Sequence, residues 1–529
     1  MTVQTRHSLI AIYAIVIVFA AATLFSNLGN RLLWGDEATT ALLAESITKH
    51  GLPKVSDGKN LITYIGTELD SNKAQVWTWA PWTGEYLAAA SFFLFGKSTA
   101  TARLPFTFVG LFCVIIFARL VYKIYESHET AIMAALCLVT SELFILHVRQ
   151  CRYYSVVIFA EIWLILGLYH LFTGRARRGT IHMSMALALM FYCNYIIIIG
   201  NIIAIVFTTI LVHERRKYLW RYILSGFAAF TLMAAPWILY AKPWTQAGQV
   251  NSRLYIPKLH YYAVEINFHM FPFVLLLIPV GYFIFKGRSL HISSGKTPAQ
   301  RDLELFLWIL IPCQLVIISV APGLFVRYFT HLIPVFCILQ AMLLTRYIRP
   351  MLPRYALVGL LCFTNLLSML GLYFFQYGHK PAFPVINLMR SIATPYTSRL
   401  DDVVAFLKKE AAPGESILVY DSEFPLIFYT DMQVIDGRFT YGKTVRPDWF
   451  FPIGPSCVFD MKPDSIPEDL SNDFTPVEIE VHKTKRSGSI GDPDKYEYFT
   501  ATDKEKFVIY KRKPETRRPR RQSEILNKH

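Results

Sequence analysis

Apolar residues in this chain arrive in runs of membrane-spanning length separated by short polar stretches. Residues 8–25 form the first run. Others follow at 104–122, 130–147, 154–173, 180–193, 195–212, 221–240, 264–285, 303–320, 329–346 and 355–376. A helix rises ~1.5 Å per residue, so about 20 apolar residues cross a ~30 Å hydrocarbon layer. No soluble core needs so many such runs. The composition agrees, with 53% hydrophobic residues and mean hydropathy +0.35. The expectation is a polytopic α-helical membrane protein of about eleven spans. Runs 180–193 and 195–212 are short and meet at Asn194, which leaves the count open by about two.

Charge orients the chain. The net charge is +15, but the cations are not organised for nucleic acid. They cluster between apolar runs: Arg119 and Lys123; Arg175, Arg177 and Arg178; Arg215, Arg216, Lys217 and Arg221; Lys286, Arg288, Lys296 and Arg301; Arg346, Arg349 and Arg354. Cytoplasmic loops carry such clusters. All of them fall on one side if residues 81–96 lie flat on the opposite face instead of crossing. The apolar part of that stretch, Tyr86 to Phe95, is too short to cross alone. The amino terminus is then cytoplasmic, and the long segment 26–103 is outside. Residues 8–25 follow Arg6 and His7 and resemble a signal peptide, but no small-x-small cleavage site precedes Asn27, so they read as a retained span.

After residue 377 the pattern becomes that of a soluble α/β domain, taken as 377–510 and outside the membrane. Residues 399–410 have helical spacing, and strands are expected at 416–420, 432–435, 476–481 and 506–511. Residues 511–529, with Arg517, Arg518, Arg520 and Arg521, read as a basic disordered tail, either solvated or touching anionic membrane lipids. Seven of the eight cysteines lie in or beside apolar runs and Cys457 stands alone, with no zinc-site spacing or disulfide framework.

Domain 1–376 holds the chemistry-bearing residues. Asp36 and Glu37 follow the first span directly and precede a helix-like stretch, 38–50, that Gly51 and Pro53 stop. Acids at that level serve a substrate or cation, or they cap the helix. On the same face fall Glu142, His147, Arg149, Arg152, Tyr153 and Tyr154, a loop at 240–263 with Lys242, Arg253, Lys258 and His260, and Arg327, Tyr328 and His331. Guanidinium forks match a phosphate, so Arg149, Arg152 and Arg327 are phosphate candidates, with Tyr328 beside them and Lys73 a further cation. The same arginines also suit snorkelling at an interface. The acid pair is able to hold Mg²⁺ or Mn²⁺, although no metal-ligand spacing appears. Trp77, Trp79, Trp82 and Tyr86 read as an interfacial aromatic belt.

Three stretches carry a family resemblance: WGDEATTALLAES with HGLPK, APWTGEYLAAASFFLFGKSTATARLP, and HVRQCRYYS. Together they resemble membrane-embedded glycosyltransferases of the GT-C fold, in particular the protein O-mannosyltransferase and aminoarabinose lipid A transferase group. The resemblance covers about residues 8–175 well and the remainder loosely. It implies a polyprenyl-phosphate sugar donor, flat helices in the first outer loop and an outer C-terminal domain in a bacterial or archaeal cell membrane. It also implies that Asp36 activates or positions an acceptor hydroxyl on a lipid, glycan or protein, with Glu37 its acidic neighbour and Glu142 a possible second acid. The family's lipid A branch places a basic residue before a proline in the flat-helix region. Ala80 precedes Pro81 here, so Arg149, Arg152 and Arg327 are expected to take that role. A transporter or lipid-linked-sugar flippase is the rival reading. Against it, no internal repeat is evident and the charges gather at one edge instead of the midplane. A non-catalytic scaffold is the third.

Overall fold

The computed structural model describes residues 3–64, 66–213, 217–247, 256–286, 297–321, 324–370, 380–420, 423–439, 446–451, 472–484 and 496–514. The basic tail with Arg517 to Arg521, and Cys457, lie outside the described residues. So do Arg215, Arg216, Arg253, Arg288 and Lys296.

Each apolar run is helical over much of its described residues, but not every run is one straight helix. Among the described residues, six helices are long and apolar enough to cross a membrane: His7–Phe25, Thr99–Tyr125, Tyr154–Phe172, Leu219–Ala241, Pro298–Val320 and Val326–Tyr347. Two further runs are bent pairs. His128–Val139 turns into Glu142–Val148 at 61°, and Ile256–His269 turns into Phe273–Tyr282 at 85°. Counting each pair once gives up to eight spans by length and composition. Tyr195–Leu211 and Met351–Phe363 are apolar but shorter, and Ala176–Phe191 carries two arginines in its first turn. The expectation of about eleven counted apolar runs, and bending and shortness separate runs from full crossings. The chain is a polytopic, integral membrane protein with a small α/β region at its C-terminal end.

Small residues set the helix spacing. Tyr154–Phe172 and Ala176–Phe191 are in extensive contact, and a Cβ added at Gly179 would lie 2.6 Å from the Leu171 backbone nitrogen and 2.8 Å from the Gly167 oxygen. Glycine at such positions lets two backbones meet.

At one end of the bundle the first helix, α1 (Val3–Phe25), leads through a short loop to α2 (Gly35–His50). Gly51 ends α2 in the left-handed conformation, at φ 73°, and its N–H donates to the Ile47 oxygen. The turn at 57–60 is held by Asp57 Oδ1, which accepts from the backbones of Lys59 and Asn60. A 13-residue helix, Thr83–Phe95, follows where the flat helix is expected, and Gly96 ends it. Of the expected aromatic belt, Trp77 departs: it is buried at 2% exposure against Tyr64, in a loop whose ends pair at Lys54 and Val76. Trp79 and Trp82 are half-buried, Trp82 packs edge-on to Trp237 and Tyr240, and Tyr86 is exposed.

The C-terminal region builds one five-stranded sheet in the order β2-β1-β3-β5-β4 from β1 (Ser416–Val419), β2 (Gln433–Asp436), β3 (Trp449–Phe450), β4 (Phe474–His482) and β5 (Lys504–Arg512). β1 runs parallel to β2 and β3, and β5 runs antiparallel to β3 and β4. One apolar core joins this region to α2 and the Thr83–Phe95 helix, with Leu43, Trp77, Phe92, Leu426 and Trp449 among its members. Tyr429 ties the two by accepting from the Leu33 N–H and sharing a hydrogen bond with Thr99.

Gly179→Ala should lower the thermal midpoint of the detergent-solubilised protein, corresponding to about 1–3 kcal/mol of overpacking. The clashing atoms include backbone, so no side-chain rotation relieves it. An unchanged midpoint would contradict the packing.

Candidate active site

Asp36 and Glu37 occupy the first turn of α2, where negative charge is favoured by the helix dipole. Consecutive helical residues point about 100° apart, so the two carboxylates meet different surroundings. Glu37 is wholly buried. Arg103 grips it through Nε and Nη2, at 2.8 and 2.6 Å, and the Cys151 N–H donates to Oε1 at 2.8 Å. The remaining Arg103 donors go to the backbone oxygens of Leu28, Arg31 and Leu32. The structure thus places Glu37 away from solvent and in the service of the loop's shape.

Asp36 is different. Its side chain is 20% exposed, and two guanidinium groups approach the same oxygen. Arg327 Nη2 lies 3.3 Å from Oδ2 and Arg152 Nη2 lies 3.7 Å from it. Arg152 also donates to Thr40 Oγ1 at 3.0 Å and to the Asp36 carbonyl at 3.3 Å. Its buried Nε has no hydrogen-bond partner. Arg327 stacks over Phe325 and Trp34, at 4.0 and 5.2 Å from the ring centres, which fixes the plane of its fork. The Tyr64 hydroxyl faces Asp36 Oδ1 at 3.5 Å. Burial first, and then the Asp36 charge, raise the Tyr64 pKa. Burial works against the Arg152 charge, but Asp36 together with Tyr64, Tyr154 and Tyr153 outweighs it, so Arg152 titrates above the usual arginine range.

The other expected residues divide. Tyr328 follows Arg327 in a short 3-10 helix, Val326–Leu332, half-buried and edge-on to Phe325. Arg149 is spent elsewhere: it donates to the carbonyls of Thr23, Leu24 and Ser26 and so closes the C-terminal end of α1. With Arg31 and Arg103 it lines a cavity of about 40 Å³. Burial, and then Arg103, bring its pKa down to about 10. Lys73 is exposed in the turn held by Asn72. Glu142 is buried beside His269, at 3.8 Å, and not in the Asp36 group. His147 packs its ring against Tyr154.

Three residues went unpredicted. Arg103 sat in the quoted ATARLP stretch, where nothing local distinguishes it from a residue that begins a span. Tyr64 had no signal. Glu85 lies buried in the first turn of the Thr83–Phe95 helix, and burial pushes its carboxyl up to about 7 against the opposing effects of its own backbone and of Arg152. The acid pair does not fit Mg²⁺ or Mn²⁺. Glu37 is consumed by Arg103 and Cys151, and Asp36 faces two cations. Among the described residues, no three His, Cys, Asp or Glu side chains group as metal ligands.

No protein-family model and no curated protein sequence matches the chain. Solved structures do. The crystal structure of ArnT from Cupriavidus metallidurans bound to undecaprenyl phosphate superposes with a TM-score of 0.56 at 14% identity, over 95% of this chain and 97% of that one. The apo form of the same ArnT gives 0.52 at 14% identity, over 82% and 86%. The chain has the fold of ArnT. The expected GT-C architecture, with its helical bundle and C-terminal α/β region, is therefore present along nearly the whole length.

Arg103→Met should destabilise the protein by about 3–5 kcal/mol, because it leaves Glu37 charged and buried without its partner. Thermal unfolding in detergent would read this. Glu85 gives a pH dependence. Its folded pKa, about 7, lies above the ordinary 4.5, so its contribution is complete below pH 4.5 and is lost as pH rises through 7. Glu85→Gln should flatten that part of the stability profile, by up to roughly 3 kcal/mol.

Proposed function

We propose that this chain is a membrane glycosyltransferase that moves a sugar from a polyprenyl-phosphate donor to an acceptor hydroxyl, on the extracytoplasmic face. The observation that carries the reading is the convergence of Arg152 and Arg327 on one oxygen of Asp36, with a buried, unpartnered N–H on Arg152. A fold shared with an ArnT that holds undecaprenyl phosphate supports it.

In the reaction, the acceptor oxygen attacks the anomeric carbon and the bond from that carbon to the phosphate oxygen breaks. The hydroxyl proton passes to the Asp36 carboxylate. The electron pair leaves with the phosphate, whose charge grows by one unit. Arg152 and Arg327 meet that added charge with fixed N–H donors. Such donors lower the barrier because they bind the transition state better than the donor itself. The Tyr64 hydroxyl, on the other side of Asp36, orients the carboxylate. Glu37 holds the start of α2 in place, and Arg149 caps α1.

Asp36→Asn should cut transfer by about 10²–10⁴-fold while leaving the thermal midpoint near wild type. The assay is release of polyprenyl phosphate from a panel of polyprenyl-phosphate sugars by the purified full-length protein. Arg327→Lys keeps a charge but loses the fork and should cost about 10²–10³-fold. Normal turnover by the Asp36→Asn protein would sink the assignment, as would sugar transport into vesicles with no covalent product.

A further inference from the structure

Seven of the eight cysteines fall in the described residues, and two of them touch. The Cys137 S–H donates to the Cys362 sulfur, with Cys337 close to each. All three are buried, and they line a cavity of about 80 Å³ that the Asp36 group does not use.

The helices that carry the pair are held in register from their other ends. Cys137 lies in the last turn of the His128–Val139 helix and Cys362 in the last turn of the Met351–Phe363 helix. In the first turns of the same two helices, Arg354 donates to Glu129 at 3.0 Å and the Tyr355 hydroxyl donates to it at 3.1 Å. Glu129 and Arg354 are 225 residues apart in sequence, and so are Cys137 and Cys362. Each cysteine stands eight residues beyond its charged partner, which is about 12 Å of helix and a return to nearly the same face. The two helices therefore run parallel, and one register brings both pairs together.

Buried cysteine is ordinarily a small apolar filler. A filler does not need a second thiol against it, and here the cavity leaves one side of the pair unpacked. A disulfide holds its sulfurs at about 2.05 Å, and two sulfurs already in hydrogen-bond contact approach that by side-chain rotation. Neither helix has to slide. We propose that Cys137 and Cys362 are a redox pair that closes into a disulfide and ties the Met351–Phe363 helix to the His128–Val139 helix. The two thiols give up two protons and two electrons and form one S–S bond, while a disulfide oxidant takes both and leaves as a dithiol. The bond fixes one end of the helix that leads toward the C-terminal α/β region, whose other end Glu129 holds by a salt bridge. The proposal stands whether or not the Asp36 site transfers a sugar.

The test counts thiols in the full-length protein in detergent. Diamide oxidises the native protein and takes up the two protons and two electrons as its hydrazine. After its removal, unfolding in dodecyl sulfate and reaction with a maleimide of known mass count the thiols that remain. Two of the eight should be lost, return with dithiothreitol, and map by mass spectrometry to a Cys137–Cys362 peptide link. The loss should disappear in Cys137→Ser and in Cys362→Ser and persist in Cys337→Ser. If a serine variant does not fold, the peptide map of the wild type decides alone. Eight free thiols after diamide, a link that maps to Cys337 or to a second molecule, or an undiminished loss in both Cys137→Ser and Cys362→Ser would each overturn the proposal.

Discussion

The Glu37–Arg103 pair is the interaction on which the rest of this end of the molecule depends. Burying two charges carries a desolvation penalty of several kcal/mol per ion, and it is tolerated only when the remaining donors are also satisfied. Here they are. Arg103 holds both carboxylate oxygens and three backbone carbonyls from 28–32, while the Cys151 N–H completes Glu37. Three stretches distant in sequence are thereby fixed together. Asp36 is the neighbour of Glu37, and Arg152 is the neighbour of Cys151. One sealed salt bridge therefore sets the position of both members of the exposed pair beside it. The adjacent acids look alike in the sequence but divide into one sealed against Arg103 and one left partly exposed between two arginines.

The sequence was readable where the signal is local. Hydropathy runs located the helices because lipid-facing length is a property of consecutive residues, and Gly51, Asp57 and the 399–410 stripe marked their elements for equally local reasons. The runs at 416–420, 432–435, 476–481 and 506–511 were legible as short strand segments and match β1, β2, β4 and β5, whereas β3 is only two residues long and left no pattern. Arg152 and Arg327 were legible through topology, since counting charges put them on the face of Asp36. Arg149 was on the same face and yet turned inward to the carbonyls that end α1. Which acceptor a guanidinium finds is decided by tertiary packing, and no spacing rule separates these arginines. The Arg103–Glu37 pair, the Tyr64–Asp36 contact, the Glu142–His269 contact and the burial of Trp77 escaped for the same reason.

Fold and chemistry part company at Ala80. The bundle follows ArnT over nearly its whole length, at 14% identity. Yet Ala80 stands before Pro81, where the resemblance leads one to expect a cation. A charge needed at a phosphate need not come from a particular element, only to a particular point. On the proposed reading, Arg152, from the loop before the Tyr154–Phe172 helix, and Arg327, from the 3-10 helix, supply that charge from two other directions.

On the proposed reading, this arrangement also couples the two halves of the reaction. Both guanidinium groups lie against the Asp36 carboxylate. An arriving phosphate competes for the same forks and for the unpartnered Arg152 Nε. As the arginines turn to it, the Asp36 oxygen they held is released to accept a hydrogen bond from the acceptor hydroxyl. The carboxylate is then free only when the leaving group is already bound, which disfavours activation of water at an empty site.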